Sequence, residues 1–204
     1  MNCLIKNFIF DIGNVLLNFK PLEYLKTKIS ESDIIDDVYY QVFKSEEWIL
    51  LDRGMINEKE AYNRIIERNS QYKYQIKNIF EEWQEMLTPI EDTICILKEL
   101  KNASFKIYFL SNFHSTAFDY VIKQYGFFDL FDGGIVSYKE NLIKPEAAIY
   151  EKLIKKYNLT ALESFFIDDM EENIHAAKLL DFNTMIFTCA SELKIQLKMK
   201  DIYN

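Results

Sequence analysis

The 204-residue sequence has few of the residues that bend or cross-link a chain. It contains five glycines, three prolines and three cysteines. Because the cysteines are odd in number and widely spaced, at Cys3, Cys95 and Cys189, they predict neither a disulfide framework nor a zinc site. We interpret them as free thiols of a reducing compartment, and therefore expect a cytoplasmic protein.

Long hydrophobic runs and an excess of positive charge are also missing. No uncharged run approaches the roughly 20 residues that span a bilayer. The first residues lack the apolar core of a signal peptide. The net charge is −8, and nucleic-acid backbones require clustered Lys and Arg. We therefore expect no membrane and no nucleic-acid partner, whereas a small phosphorylated ligand needs only a local positive site.

Apolar and aromatic residues are plentiful, at 49% and 15% of the chain, which suits a globular protein of one domain with a modest insertion. From Lys106 onward, short apolar runs alternate with helical patterns, which is typical of βαβ units. The predicted strands are Phe8–Phe10, Lys106–Leu110, Ile135–Ser137, Ser164–Ile167 and Asn183–Phe187. The sequence thus predicts an α/β fold with a Rossmann-like, three-layer parallel-sheet core.

Residues 18–88 have a different character, charged and aromatic with apolar residues at helical spacing. Asn57 followed by Glu60 is the pattern of a capping box, which begins a helix. Another helix is predicted from Tyr74 to Met86. We expect residues 18–88 to form a small α-helical cap, and residues 1–17 and 89–204 to form the discontinuous core.

Polar residues follow four of the predicted strands. They are Asp11, Ser111, Asn112, Lys144, Asp168 and Asp169. Because the carboxyl ends of parallel strands lie at one edge of a sheet, these residues should form one site. Carboxylates are ligands that Mg²⁺ prefers, a lysine and a serine can bind phosphate, and Asp11 could attack phosphorus. Each residue also has an ordinary interpretation as a cap, loop or solvated turn. Their common placement favours the site.

The order Phe-Asp-x-Gly-Asn-Val, apolar-Ser-Asn, Lys-Pro and apolar-Asp-Asp resembles the four signature motifs of the haloacid dehalogenase-like (HAD) hydrolase superfamily over nearly the whole chain. The helical insertion resembles the cap of its phosphatase branch. Asp-x-Gly-Asn-Val and Arg53-Gly54 are similar to bacterial sugar-phosphate phosphatases of the α-glucose-1-phosphate phosphatase type. The resemblance implies a Mg²⁺-dependent phosphatase that hydrolyses a small phosphorylated metabolite, such as a sugar phosphate, through an aspartyl-phosphate.

The resemblance also implies roles at the metal. Asp11 would be the catalytic nucleophile and a Mg²⁺ ligand, and Gly13 would offer its main-chain carbonyl. Asp168 would be the acidic metal ligand, with Asp169 close behind it or in its place.

The remaining motif residues would bind phosphate. Ser111 and Asn112 would hold the transferring phosphoryl group. Lys144 would bind phosphate and neutralise charge on it and on Asp11, which is the electrostatic stabilisation that such a transfer requires.

One position departs from the family pattern. Most phosphatases of the superfamily have a second Asp where this chain has Gly13, and general acid–base help is typically worth about 10²–10⁴-fold in rate. A water, a substrate group, Asp169 or a cap residue could replace it, or the leaving group could be a good one, such as an anomeric phosphate. His114 is a further candidate, although such a histidine is more often exposed on its helix. We expect His175 to be solvated and Asn173 to be structural.

Two alternatives remain open from the sequence. The first is a metal-free 2-haloacid dehalogenase in which Asp11 attacks carbon, which the Asp168-Asp169 pair disfavours. The second is a non-enzymatic protein that binds a phosphometabolite at a decayed site, which Gly13 favours. Cap residues would select the leaving group, and we expect Trp48 and Trp83 to be core residues.

Overall fold

A computed structural model describes residues 4–199. Five parallel strands form one sheet in the order β3-β2-β1-β4-β5. The strands are β1 (Asn7–Phe10), β2 (Lys106–Ser111), β3 (Gly133–Val136), β4 (Ser164–Asp168) and β5 (Asn183–Ile186). The chain builds outward from β1 to β3, then crosses to β4 on the other side of β1. The strand order therefore reverses between β1 and β4, where ligands bind in folds of this type.

Eleven α-helices occur in the described part of the chain, and none of them is long and apolar enough to cross a membrane. They are α1 (Pro21–Lys28), α2 (Ile35–Phe43), α3 (Glu46–Asp52), α4 (Glu58–Arg68), α5 (Lys73–Glu82), α6 (Glu91–Asn102), α7 (Ser115–Gln124), α8 (Ser137–Glu140), α9 (Ala147–Tyr157), α10 (Glu171–Leu179) and α11 (Ala190–Met199). The predicted helical tail is α11 as far as Met199, and residues 200–204 lie outside the described range.

Helices cover both faces of the sheet. Successive side chains of a strand point to opposite faces, so β1 supplies both cores. Phe8 and Phe10 pack on one side with residues of α6, α7 and α11. Ile9 packs on the other side with residues of α9 and α10. Because both faces are covered, β1 is buried along its whole length, as its unbroken apolar run indicates. The predicted three-layer α/β core is confirmed.

Residues 18–88 contain helices α1 to α5. The N-cap half of the predicted capping box is present, since the Asn57 side chain accepts a hydrogen bond of 2.9 Å from the Glu60 amide, whereas the Glu60 carboxylate pairs with Arg64. The helix predicted over Tyr74–Met86 is divided, because α5 ends at Glu82 and a 3₁₀ helix spans Trp83–Met86. We call residues 18–88 the helical insertion.

The two connections to the helical insertion run side by side. The Asn18 amide donates to the Thr88 carbonyl at 2.8 Å, and the Ile90 amide donates to the Leu16 carbonyl at 2.8 Å. A bridge between Leu17 and Pro89 lies between these bonds and is antiparallel. The chain therefore leaves the sheet and returns to it at neighbouring points, close to the end of β1.

The helical insertion also contacts the segment between β3 and α9. Gly54 adopts a left-handed φ of +74°, and a Cβ at this position would overlap the main-chain carbonyl of Tyr138. The Arg53 guanidinium forms an ion pair with Glu146, and the Asn141 side chain donates to the Arg53 carbonyl at 3.0 Å. These contacts place the end of α3 against the loop that carries Lys144.

Candidate active site

Asp11 lies directly beyond β1, at the carboxyl edge of the sheet. Its amide donates to the Ile167 carbonyl at 2.9 Å, so the pairing with β4 continues through this residue. The chain then turns sharply, because the amides of Leu16 and Leu17 both donate to the Ile12 carbonyl at 2.9 Å. The apolar residues after the turn are buried, which fixes the turn and with it the Asp11 side chain.

Three donors converge on one carboxylate oxygen of Asp11. Oδ1 accepts hydrogen bonds from the Ile12 amide at 2.7 Å and from Ser111 Oγ at 2.6 Å. Lys144 Nζ lies 2.9 Å from the same oxygen. Burial raises the pKa of Asp11 to about 7, against the opposing charge of Lys144. These contacts hold the carboxylate in one orientation.

Lys144 links the carboxylates of β1 and β4. Its Nζ also donates to Asp168 Oδ2 at 2.6 Å, and its side chain is almost fully buried. Burial alone would lower the pKa of Lys144, but Asp11 and Asp168 raise it. The Asn112 side chain holds the Lys144 main chain, accepting from its amide at 2.8 Å and donating to its carbonyl at 3.0 Å. Asn112 therefore positions Lys144, and phosphate binding by Asn112 stays a prediction.

Asp168 ends β4 and is fully buried. Its Oδ1 accepts from the Met170 amide at 2.8 Å and from Asn173 Nδ2 at 2.9 Å, which is the structural contact predicted for Asn173. Asp169 is half-buried and accepts from Asn14 Nδ2 at 3.1 Å. Burial raises the pKa of Asp169. The strand-end residues predicted from the sequence therefore do lie together.

Three of these carboxylates could hold a cation. Asp11, Asp168 and Asp169 each offer an oxygen, and the three oxygens lie within 4.8 Å of one another. With the Lys144 ammonium, three carboxylates leave two negative charges, which a divalent ion would balance. Oxygen ligands of this kind suit Mg²⁺. The donor set thus fits the predicted metal, and we call these four residues the sheet-edge cluster.

A small cavity of about 60 Å³ lies between this edge and the helical insertion. Its walls are largely aromatic, with polar groups at a few points. The lining residues are Gly13, Phe19, Trp48, Asp52, Trp83, Leu87, Asn112, Phe113 and His114. Trp48 and Trp83 are buried as predicted, and they also form cavity wall. Gly13 and Asn112 bring the cavity beside the sheet-edge cluster, where a leaving group could lie.

His114 is buried, so the expectation of an exposed histidine is wrong. It precedes α7 as the N-cap residue, with 2% of its surface exposed. Nδ1 lies 3.3 Å from Asp52 Oδ1, and Nε2 lies 3.3 Å from Glu58 Oε1. The rings of Trp48 and Trp83 pack on it at 5.2 and 4.9 Å between centroids. We call His114, Asp52 and Glu58 the interface cluster.

The two acidic neighbours control the charge of this histidine. Burial alone would lower the pKa of His114, but the hydrogen bond with Asp52 and the negative charges of Asp52 and Glu58 raise it. In turn, burial would raise the pKa of Glu58, but His114 lowers it. The interface cluster therefore favours a positively charged imidazole. His175, by contrast, is exposed on α10, as expected.

Sequence reasoning missed Asp52 and Glu58. They lie at the end of α3 and the start of α4, and neither follows a predicted strand. Their contact with His114 forms only when the helical insertion packs on the core. No local pattern in the sequence indicates that packing.

The chain is similar in sequence to known proteins. A family model described as haloacid dehalogenase-like hydrolase matches residues 5–181. The sesquiterpene phosphatase astK of Aspergillus oryzae is 29% identical over 173 residues, which cover 85% of each chain. A D-ribitol-5-phosphate phosphatase of Bacteroides thetaiotaomicron is 25% identical over 197 residues, with 89% of this chain and 91% of that protein covered.

A solved structure is similar in fold as well as in sequence. A HAD family enzyme of Bacteroides thetaiotaomicron, in complex with magnesium and inorganic phosphate, superimposes with a TM-score of 0.73 at 25% identity, covering 91% of this chain and 95% of that one. The family model spans most of the chain and includes all the strand-end residues of the site. The chain belongs to the haloacid dehalogenase-like hydrolases.

Proposed function

We propose that this protein is a Mg²⁺-dependent phosphatase that hydrolyses a small phosphorylated metabolite through an aspartyl-phosphate. The observation that carries the proposal is the position of Lys144, which lies between Asp11 and Asp168 at hydrogen-bond distance from both. Its charge is available to a phosphoryl group that arrives beside Asp11. Family membership and the two phosphatase-named relatives support the same reaction.

Asp11 is the nucleophile in this proposal. Its Oδ1 accepts hydrogen bonds from Ile12 and Ser111 and contacts Lys144, so we assign the attack on phosphorus to Oδ2. A carboxylate held in one orientation needs little reorganisation before it attacks. Ser111, Asn112 and Lys144 would then hold the phosphoryl oxygens as charge develops on them.

Mg²⁺ would be held by Asp11, Asp168 and the Gly13 carbonyl, with Asp169 beside them or as an alternative ligand. When bound, the ion would neutralise charge on the phosphoryl group. Asn173 and the Met170 amide fix the Asp168 carboxylate for this role. The magnesium and phosphate complex of the similar Bacteroides enzyme supports magnesium as the ion.

Residues 18–88 would act as a cap that selects the leaving group. The aromatic walls of the cavity suit an apolar leaving group or the C–H face of a sugar, and Asp52 and Asn112 could bond hydroxyl groups. One relative is named a sesquiterpene phosphatase and the other a D-ribitol-5-phosphate phosphatase, so the two names include an apolar and a hydroxylated leaving group. A panel of polyol, sugar and prenyl monophosphates, compared by kcat/KM, would rank them.

Replacement of the nucleophile tests the proposal. We expect Asp11→Asn to lower phosphatase turnover by about 10⁴-fold or more, because no covalent intermediate can form. The circular dichroism spectrum should remain native, and Asp129→Asn on the exposed surface should leave turnover unchanged. Each protein is assayed after chelation and after addition of Mg²⁺.

The same assay separates the alternatives. Retained turnover in Asp11→Asn would contradict the aspartyl-phosphate route. Halide release from 2-chloropropionate without metal would instead indicate a dehalogenase. Phosphate-ester binding without any turnover in the unmodified protein would indicate a binding protein.

A further inference from the structure

Phosphoryl transfer to Asp11 releases an alkoxide unless a proton reaches the leaving oxygen. Gly13 occupies the position from which this family's usual second carboxylate would act, and glycine has no side chain. We propose that His114 is a catalytic residue that protonates the leaving group, with Asp52 as the residue that positions and charges it. This inference rests on the proposed phosphatase function.

His114 is placed where it can reach the leaving group. His114 and Gly13 line the same small cavity, so a donor on His114 serves the space that a carboxylate at position 13 would serve. Asn112 connects the cavity with the sheet-edge cluster, because it lines the cavity and also holds the main chain of Lys144. A leaving group in the cavity would therefore contact both the phosphoryl-binding residues and the imidazole.

One imidazole nitrogen of His114 has no aligned hydrogen bond. Nδ1 contacts Asp52 at 3.3 Å. Nε2 lies 3.3 Å from Glu58 but lacks the alignment of a hydrogen bond, and it is buried. A buried donor without an aligned acceptor is costly unless a ligand completes it. The oxygen of a bound leaving group would be that acceptor.

Negatively charged side chains surround the His114 ring. The charged groups that face the ring are Asp52 from α3 and Glu58 from α4, while the rings of Trp48 and Trp83 pack against it. Two carboxylates around one imidazole raise its pKa, which favours the protonated ring. A protonated histidine in this position can act as a general acid.

The proton balance of the two steps is complete. In the first step, Asp11 Oδ2 forms a bond to phosphorus, the bond from phosphorus to the leaving oxygen breaks, and His114 gives that oxygen a proton and becomes neutral. In the second step, water attacks phosphorus, the bond to Asp11 breaks, and the water proton returns to His114. Phosphate leaves, and both side chains are restored.

A comparison of two esters tests the inference. An aryl ester such as 4-nitrophenyl phosphate has a leaving group that needs little protonation, whereas an alkyl phosphate has one that needs it fully. We read kcat/KM, which reports the steps up to release of the leaving group. We expect His114→Gln to lower kcat/KM by about 10²–10⁴-fold on the alkyl ester and by less than about tenfold on the aryl ester.

The chain offers a matched control, since its other histidine, His175, is exposed. His175→Gln should leave both esters unchanged. Equal losses on both esters in His114→Gln would assign the residue to packing and overturn the inference, as would unchanged rates. The proposed function fails separately, if Asp11→Asn stays active or if the unmodified protein hydrolyses neither ester.

The pH profile provides a readout that a packing role would not move. A general acid must be protonated, so alkyl-ester kcat/KM falls as pH rises through the pKa of His114. Asp52→Asn removes a negative charge and lowers that pKa, so we expect the fall to begin at lower pH. The aryl-ester profile should not shift. An unmoved alkyl profile would overturn the role of Asp52.

A variant with a carboxylate at position 13 provides a second test. A Cβ at Gly13 would meet only Phe19 Cβ, at 3.9 Å, so the main chain there accepts a Cβ without a clash. We expect Gly13→Asp, in the His114→Gln background, to raise alkyl-ester kcat/KM at least about tenfold with little change on the aryl ester. An equal gain on both esters would contradict the inference.

Discussion

The sheet-edge cluster and the interface cluster both bury charged side chains, but they are built differently. In the sheet-edge cluster, Asp11, Asp168 and Asp169 lie at the carboxyl ends of β1 and β4, whereas Lys144 lies on the loop after α8 and is held there by Asn112. The interface cluster joins the N-cap of α7 to two helices of the insertion. The first is held by the pairing of β1 with β4 and by the hydrogen bonds of Asn112, which follows β2. The second exists only while two parts of the chain stay packed together.

The two clusters also differ in charge balance. The sheet-edge cluster has three carboxylates for one ammonium, which suits a site that binds a metal ion. The interface cluster has two carboxylates for one imidazole, which suits a site that retains a proton. Both clusters thus have an excess of negative charge. Around the Lys144 ammonium this excess suits binding of a metal ion, and around the His114 imidazole it suits retention of a proton.

The sharpest way to break the sheet-edge cluster is to remove its ammonium. We expect Lys144→Met to lower the free energy of unfolding by about 3–5 kcal/mol, because Asp11 and Asp168 would be left buried without their partner. Urea unfolding at neutral pH measures the loss. Lys155→Met, on the exposed side of α9, should change stability by no more than about 0.5 kcal/mol. Equal stabilities of the two variants would contradict the pairing.

A variant that weakens the contact between Gly54 and Tyr138 tests the neighbouring interface cluster. Gly54→Ala places a methyl group against the Tyr138 carbonyl at a left-handed φ, so we expect a destabilisation of about 1–3 kcal/mol. Since Gly54 lies two residues after Asp52, the pKa of His114 should also fall, which NMR titration of its ring would detect. Gly126→Ala is the control, because a Cβ there meets no atom within 4 Å. An unchanged His114 pKa would show that the interface tolerates the strain.

The ion pairs of Asp132 are partly exposed and serve as a comparison for the two buried clusters. Burial alone would raise the pKa of Asp132, but hydrogen bonds from Lys101, Lys106 and the Ile107 amide lower it to about 2. Because the folded pKa lies below the unfolded one, the stabilisation is present above about pH 4 and is lost as pH falls toward 2. We expect Asp132→Asn to cost about 0.5–1 kcal/mol at pH 7, after solvent screening, and almost nothing near pH 2. Urea unfolding at both pH values measures it, and a loss independent of pH would contradict the ion pairs.

The sequence predicted the sheet and the sheet-edge cluster because both follow from one rule. Apolar runs predict buried strands, and the residue after a parallel strand lies at the ligand-binding edge. Asp11 and Asp168 could be placed together on that rule alone. The environment of His114 could not, because residues about 60 positions apart meet only through packing of whole helices. The same limit applies to Asn112, whose side chain is engaged by the Lys144 main chain.

The neighbouring connections at Leu16–Asn18 and Thr88–Ile90 have a wider consequence. Since the two ends of the helical insertion meet, a segment of another length or fold could replace it without disturbing the strand order, as loop insertions in other domains do. Under the proposed mechanism, the metal ligands and the nucleophile would be inherited unchanged, whereas the two acidic partners of His114, which the insertion supplies, would be exchanged with it. Selection for a new substrate in this architecture would thus also retune the pH range in which the enzyme works.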